Sequence, residues 1–305
     1  MILVLVLAGL LAAGATYVHR YANVQVFNTH GQIGNEERHL MYIALSLALI
    51  VVVPVFTLLF IFAWRYRESN HKAHYSPELD HSRVAETIWW LIPGVLILIL
   101  SVITWNASHK LDPYKPLASS AKPLRVQVVS LDWKWLFIYP EQHIASVNLV
   151  QLPVNRPINF EVTSDSVMNS FWIPQLGGQI YSMPGMQTEL HLMADKVGQY
   201  AGSSANISGS GFADMKFTAR VSSQAGFDTW AAAVQKAPNK LTQNQYDVLA
   251  KPTKDNPVAV YASADPALYD TIVRKYMGPM GGDSMSDMSG MSTVQHTHGA
   301  VGAAQ

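Results

Sequence analysis

The chain has 305 residues, no cysteine, and 21 basic against 21 acidic side chains, so its formal net charge is zero. A balanced charge excludes a general nucleic-acid binder, which needs a basic surface. The missing thiols exclude disulfides, zinc–thiolate and iron–sulfur sites, thiol nucleophiles, copper sites that depend on thiolate, and the lipid-bearing cysteine of a lipoprotein. Charged residues make up 14% and apolar ones 49%, where an ordinary soluble domain carries roughly 25% charge. That deficit points to a chain lying partly in a membrane.

The elements follow in chain order. Residues 1–15 form an apolar run, MILVLVLAGLLAAGA, that ends in small residues. It reads as the apolar and cleavage regions of a signal peptide, 1–18. No Lys or Arg precedes it, and retention as an anchor is the other reading. Residues 39–64 hold no charge and end at Arg65 and Arg67. At ~1.5 Å per residue that length crosses a hydrocarbon core of ~30 Å with some tilt. Pro54 lies inside it, which a membrane helix tolerates. A second uncharged stretch, 87–109, is bounded by Glu86 and Lys110, with Trp89, Trp90 and Trp105 near its ends. Tryptophan favours that headgroup level. Between the two spans lies a short loop, 65–86. Basic residues flank both spans, so the positive-inside count alone does not orient them. With a cleaved leader, both the segment before the first span and everything after the second lie outside. The loop 65–86 is then cytoplasmic, and the C-terminal part is periplasmic in a bacterium.

Past Lys110 the pattern changes. Pro113, Pro116 and Pro123 with Ser119 and Ser120 make a linker, 110–123. Short runs rich in Val, Ile and aromatics follow, separated by Gly, Pro, Asn and Ser. They predict an all-β sandwich over 124–223. From residue 224 to 276 the text turns helical (FDTWAAAVQKA, LTQNQYDVLAK, PALYDTIVRKYM) and aromatic-rich. The end, 277–305, is a Gly/Ser/Met/His tail without apolar periodicity and reads as disordered. The fold class expected is membrane-anchored all-β: two transmembrane helices, a β-sandwich and a short α-helical C-terminal extension.

Four strings in the sandwich carry a resemblance: DWKWLFIYP at 132–140, NSFWIPQLGGQI at 169–180, MPGMQT at 183–188, and GQYAGSSANISGSGFADM at 198–215. With two spans ahead of them, they resemble subunit II of the haem–copper respiratory oxidases, over about residues 30–275. The resemblance implies a cupredoxin-like sandwich. In the cytochrome c oxidase branch that sandwich holds the two-copper CuA centre, in the pattern H-S-F-W-x-P followed by G-x-Y-x-G-x-C-x-E-x-C-G-x-x-H-x-x-M. On this sequence the first His position is Asn169, and the two Cys positions are Ser204 and Ser208. The Glu position, which offers its backbone carbonyl, is Asn206. The second His position is Phe212, and only the Met position is kept, as Met215. A two-copper centre needs soft bridging thiolates and imidazoles. Hydroxyls, an amide, a phenyl ring and one thioether cannot replace them, so Met215 reads as core packing.

Loss of CuA marks the quinol oxidase branch, similar to the cytochrome bo-type ubiquinol oxidases. GQIG at 31–34, FAWRYR at 62–67, YSP at 75–77 and FDTW at 227–230 agree with it. The resemblance implies a non-catalytic subunit with no cofactor of its own. The haems, one copper and the ubiquinol chemistry belong to subunit I, and the complex is a proton-pumping oxidase in the bacterial inner membrane. The implied partners are subunit I, smaller membrane subunits and lipid, with no cytochrome c. It also implies that Glu86, at the start of the second span, sits at the entrance of a proton pathway, as a boundary carboxylate can collect protons. The plainer reading is a Glu favoured by the helix N-terminus.

Trp133 and Trp135 in the aromatic strand read as packing, since there is no CuA to relay to. His143 and His191 have no second ligand at useful spacing. Met277, Met280, Met285, Met288 and Met291 with His296 and His298 suit copper chemically. They support a rival from another class, a membrane-anchored periplasmic copper-binding or chaperone protein. No Ser-His-Asp set, P-loop or H-E-x-x-H motif appears.

Overall fold

The computed structural model describes residues 24–72 and 81–277, with positions 9, 13, 14, 16 and 17 ahead of them. The signal-peptide reading of 1–18 falls mostly outside the described residues, and YSP at 75–77 and the tail beyond Met277 lie wholly outside them.

Two long helices come first. Helix α1 is Gln32–Arg65 and α2 is Arg83–Lys110. Each extends past its uncharged stretch, α1 by about two largely polar turns before residue 39, and α2 back to Arg83. The uncharged stretch marks only the apolar middle of each helix, whereas backbone hydrogen bonding carries the helix beyond it. The Ser82 hydroxyl accepts the Ala85 amide at the start of α2. Lys110 Nζ lies 2.8 Å from Glu36 Oε1, so the end of α2 stands beside the start of α1. The helices therefore form an antiparallel hairpin, and the loop joining them lies at the end away from that pair. Their most apolar windows contain no buried residues, which leaves these faces for lipid or protein.

The sandwich sits on the other end of the hairpin. Gly31 bridges to Ala194, and the Gly34 amide donates to the Leu176 carbonyl at 3.0 Å. A Cβ on Gly31 would meet the Leu176 carbonyl oxygen at 2.6 Å, so glycine permits this close seat. One sheet contains β1 (Leu124–Leu131), β2 (Lys134–Tyr139), β3 (Ile144–Val147), β5 (Ile158–Ser164) and β8 (Thr188–Leu192). A late strand, β11 (Ala259–Tyr261), joins its edge, giving the order β11-β3-β2-β1-β5-β8. The other sheet contains β4 (Leu149–Pro153), β6 (Asn169–Trp172), β7 (Ile180–Ser182), β9 (Gly198–Ser204) and β10 (Lys216–Ser222), in the order β4-β10-β9-β6-β7.

The core between the sheets is aromatic. Phe171 and Phe217 stack at 5.2 Å, and Trp135, Phe137 and Phe160 close around them. Gly202 stands opposite Phe217 in the β9–β10 ladder, and a Cβ there would collide with the ring.

Helices α3 (Gln224–Val234), α4 (Gln243–Leu249) and α5 (Leu268–Lys275) make the C-terminal extension. It is not purely helical, because β11 comes from it. Its Leu241, Tyr246, Leu268 and Ile272 form a second core with Val129, Leu131, Leu136 and Ile138 on the outer face of the six-stranded sheet. That explains why β2 is buried at every position rather than at alternate ones: both faces of the sheet are covered.

Candidate functional site

The positions that resemble copper ligands lie where β6 and β9 run side by side. Phe171 pairs with Ser204 in the ladder, and the Ala205 amide donates to the Ser170 carbonyl at 3.0 Å. Asn169 and Ser204 are both buried. The Ser204 hydroxyl has two acceptors within reach of its single proton, Asn169 Oδ1 and the Asn206 carbonyl, each at 3.1 Å. Its oxygen accepts the Ser170 and Asn206 amides at 3.4 Å. The side-chain amide of Asn206 donates to the Met168 carbonyl at 2.9 Å, and that of Asn169 to the Val167 carbonyl at 3.1 Å. The structure therefore joins Asn169, Ser204 and Asn206 in one polar network.

The remaining positions stand apart from it. Met215 is buried, and its carbonyl accepts the Ser204 amide at 3.4 Å. Its side chain belongs to the aromatic core. Phe212 opens a short 3-10 turn and is half-buried. Ser208 presents a buried hydroxyl with no hydrogen-bond partner, while its carbonyl accepts the Trp133 indole N–H at 3.4 Å.

The donor set does not fit a two-copper centre. Amides and hydroxyls are hard and neutral, Phe212 offers no ligating atom, and the best-placed hydroxyl is committed to hydrogen bonds. Among the described residues, no group of three or more His, Asp or Glu side chains is placed to hold a metal ion.

The tryptophans differ from each other. Trp135 lies in β2 and packs edge-on against Phe171 and Phe217. Trp133 is not in the strand. It occupies the β1–β2 turn at φ +63, an uncommon conformation for an aromatic residue. Its ring lies against Gly209 and Gly211, and a Cβ on Gly211 would collide with it. Between them Lys134 is buried, its ammonium donating to the Lys251 carbonyl at 2.8 Å and the Thr253 hydroxyl at 2.5 Å. Burial holds this amine below the usual lysine range, with the nearby Asp132 charge partly opposing that.

Glu86 lies in the first turn of α2, with Oε1 3.7 Å from His81 Nδ1. It stands at the end of the hairpin away from the sandwich. His191, on β8, meets the Pro113 carbonyl at 3.0 Å through Nδ1. His143 sits in a turn at φ +57.

The sequence reading missed Asp165. Its side chain is 1% exposed. It accepts Tyr246 OH at 2.5 Å, Lys275 Nζ at 2.7 Å and Tyr276 OH at 2.8 Å. In sequence it looks like one more turn residue in Ser-Asp-Ser, and its donors lie 81 to 111 positions away.

Comparison with known proteins agrees with this geometry. Residues 141–221 match the family described as "Cytochrome C oxidase subunit II, periplasmic domain", and residues 235–280 match "COX Aromatic Rich Motif". The chain is 48% identical to "Cytochrome bo(3) ubiquinol oxidase subunit 2" of Pseudomonas putida, over 93% of this chain and 90% of that one. It is 52% identical to the protein of the same name from Pseudomonas aeruginosa, over 83% of this chain and 77% of that one. It is 48% identical to "Ubiquinol oxidase subunit 2" of Acetobacter aceti, over 84% of each. The chain belongs to the ubiquinol oxidase subunit 2 family.

Proposed function

We propose that this chain is the metal-free subunit II of a proton-pumping ubiquinol oxidase, and that electrons reach oxygen without passing through it. The complex oxidises two ubiquinols per O2, and the four electrons and four protons released form two waters. Subunit I carries the haems, the single copper and the quinol chemistry. This chain supplies an antiparallel helical hairpin against subunit I and lipid. Its sandwich stands over the periplasmic side of the inner membrane, and no cytochrome c docks on it.

The observation that carries this reading is the Asn169–Ser204–Asn206 network. At the positions where the resemblance would place copper ligands, the side chains hydrogen-bond to one another instead. In that orientation the far end of the hairpin is cytoplasmic. Glu86 then has the position of a proton-collecting carboxylate, fixed in the first helical turn beside His81. The test is oxygen uptake by the purified complex with either ubiquinol or reduced cytochrome c as donor. Ubiquinol alone should sustain turnover, and turnover with cytochrome c alone would overturn the reading.

A further inference from the structure

Besides the Lys134 contacts with residues 251 and 253, the aromatic-rich extension makes a concentrated polar contact with the sandwich at Asp165, on the loop that leads into Asn169. Asp165 opens the loop between β5 and β6, four residues before Asn169. Its buried carboxylate collects three donors from two separate parts of the extension. One is Tyr246 in α4, and the others are Lys275 and Tyr276 at the end of α5. Tyr276 also packs against Gly185, which sits at φ +72 in the turn between β7 and β8. A buried carboxylate is tolerated only when its oxygens are satisfied, so Asp165 holds both extension segments in register.

The contact continues inward through the loop. The Asp165 amide donates to the Ser130 carbonyl at 3.0 Å. The Ser164 hydroxyl meets the Val167 carbonyl at 3.0 Å. Val167 and Met168 carbonyls in turn receive the side chains of Asn169 and Asn206, whose partner is Ser204. An unbroken path of loop backbone and hydrogen bonds thus runs from the extension to the β9–β10 connection.

We propose that the extension is a clasp that does mechanically what a metal would do in this frame. By gripping Asp165 it fixes the 165–169 loop, and through Asn169 and Asn206 it fixes the 204–211 loop. Asp165 is a positioning residue with no part in the chemistry. The proposal rests on the reading that no metal holds this apex, so copper is quantified in the same samples. Copper bound in this subunit would count against that reading, whereas the exchange pattern below judges the clasp alone.

The test is hydrogen–deuterium exchange on the intact purified complex carrying Tyr276→Phe or Lys275→Met. Tyr276→Phe removes one donor and keeps the Cβ and backbone of residue 276 against Gly185. Both variants should speed amide exchange at 165–170 and also at 204–211, by roughly three- to tenfold, the factor one lost hydrogen bond carries. Faster exchange confined to residues 243–277 would overturn the proposal, because the extension would then move without the apex. Asp165→Asn, if it assembles, should show the same pattern more strongly. If it does not assemble, the two milder variants still decide.

Discussion

The Ser204 hydroxyl lies 3.1 Å from the Asn169 side-chain oxygen, so two positions that would face a metal from neighbouring strands face each other. A buried hydroxyl with partners on both sides is a small structural anchor. Ser204→Ala leaves the Ser170 and Asn206 amides short of an acceptor, at a cost of about 1–3 kcal/mol. The subunit should melt earlier while ubiquinol oxidation stays unchanged. A fall in turnover at unchanged stability would mean that the position takes part in electron transfer.

Glu86 tests the other end of the molecule. If Glu86 collects protons as proposed, Glu86→Ala should slow turnover and the reduction of the haem–copper centre, yet leave assembly intact. Glu86→Asp should recover part of the rate. Unchanged turnover in the purified Glu86→Ala complex would reduce Glu86 to a helix N-terminal residue.

Phe171 lies where four other aromatic rings meet. Phe171→Ala should cost about 3–5 kcal/mol through lost transfer energy and an unfilled cavity. Immunoblotting of membranes should show the subunit depleted from the complex. Gly202→Ala should act in the same direction by forcing Phe217 out of its place.

Burial raises the phenol pKa of Tyr139, Tyr246 and Tyr269, aided at Tyr246 by its bond to Asp165 and at Tyr269 by the Glu161 charge. A group raised in the folded state contributes stability that is complete below its unfolded pKa, about 10 for tyrosine, and is lost above it. The protein should therefore lose stability steeply above about pH 10. Absorbance at 295 nm should show these three phenols ionising only together with the loss of structure. Their ionisation near pH 10 in a folded protein would contradict the packing described.

Much of this fold was legible in the sequence, for identifiable reasons. Uncharged stretches reveal the apolar lengths of α1 and α2, which are long enough to cross a membrane, but not the polar turns that continue the helices. The thiolate-free loop was legible because donor chemistry depends on residue type alone. Trp133 was misplaced in a strand because a positive φ in a non-glycine residue leaves no local signature. The continuous burial of β2 has its cause 100 or more positions later, in Leu241 and Tyr246, and local periodicity carries no trace of it. Lys134 and Asp165 were missed for the same reason: each looks like a solvent-facing charge until its distant partners are in place. β11 is three residues long and pairs as an edge strand, too short for a period of two to register.

Electrons that bypass this subunit need no copper in it, and copper per complex tests that most directly. Mass spectrometry of metals in the purified oxidase should find one copper, belonging to subunit I, and the same number after Ser204→Ala. Three coppers, falling to one when Ser204 and Asn169 are changed together, would place a two-copper centre in this chain and contradict the account.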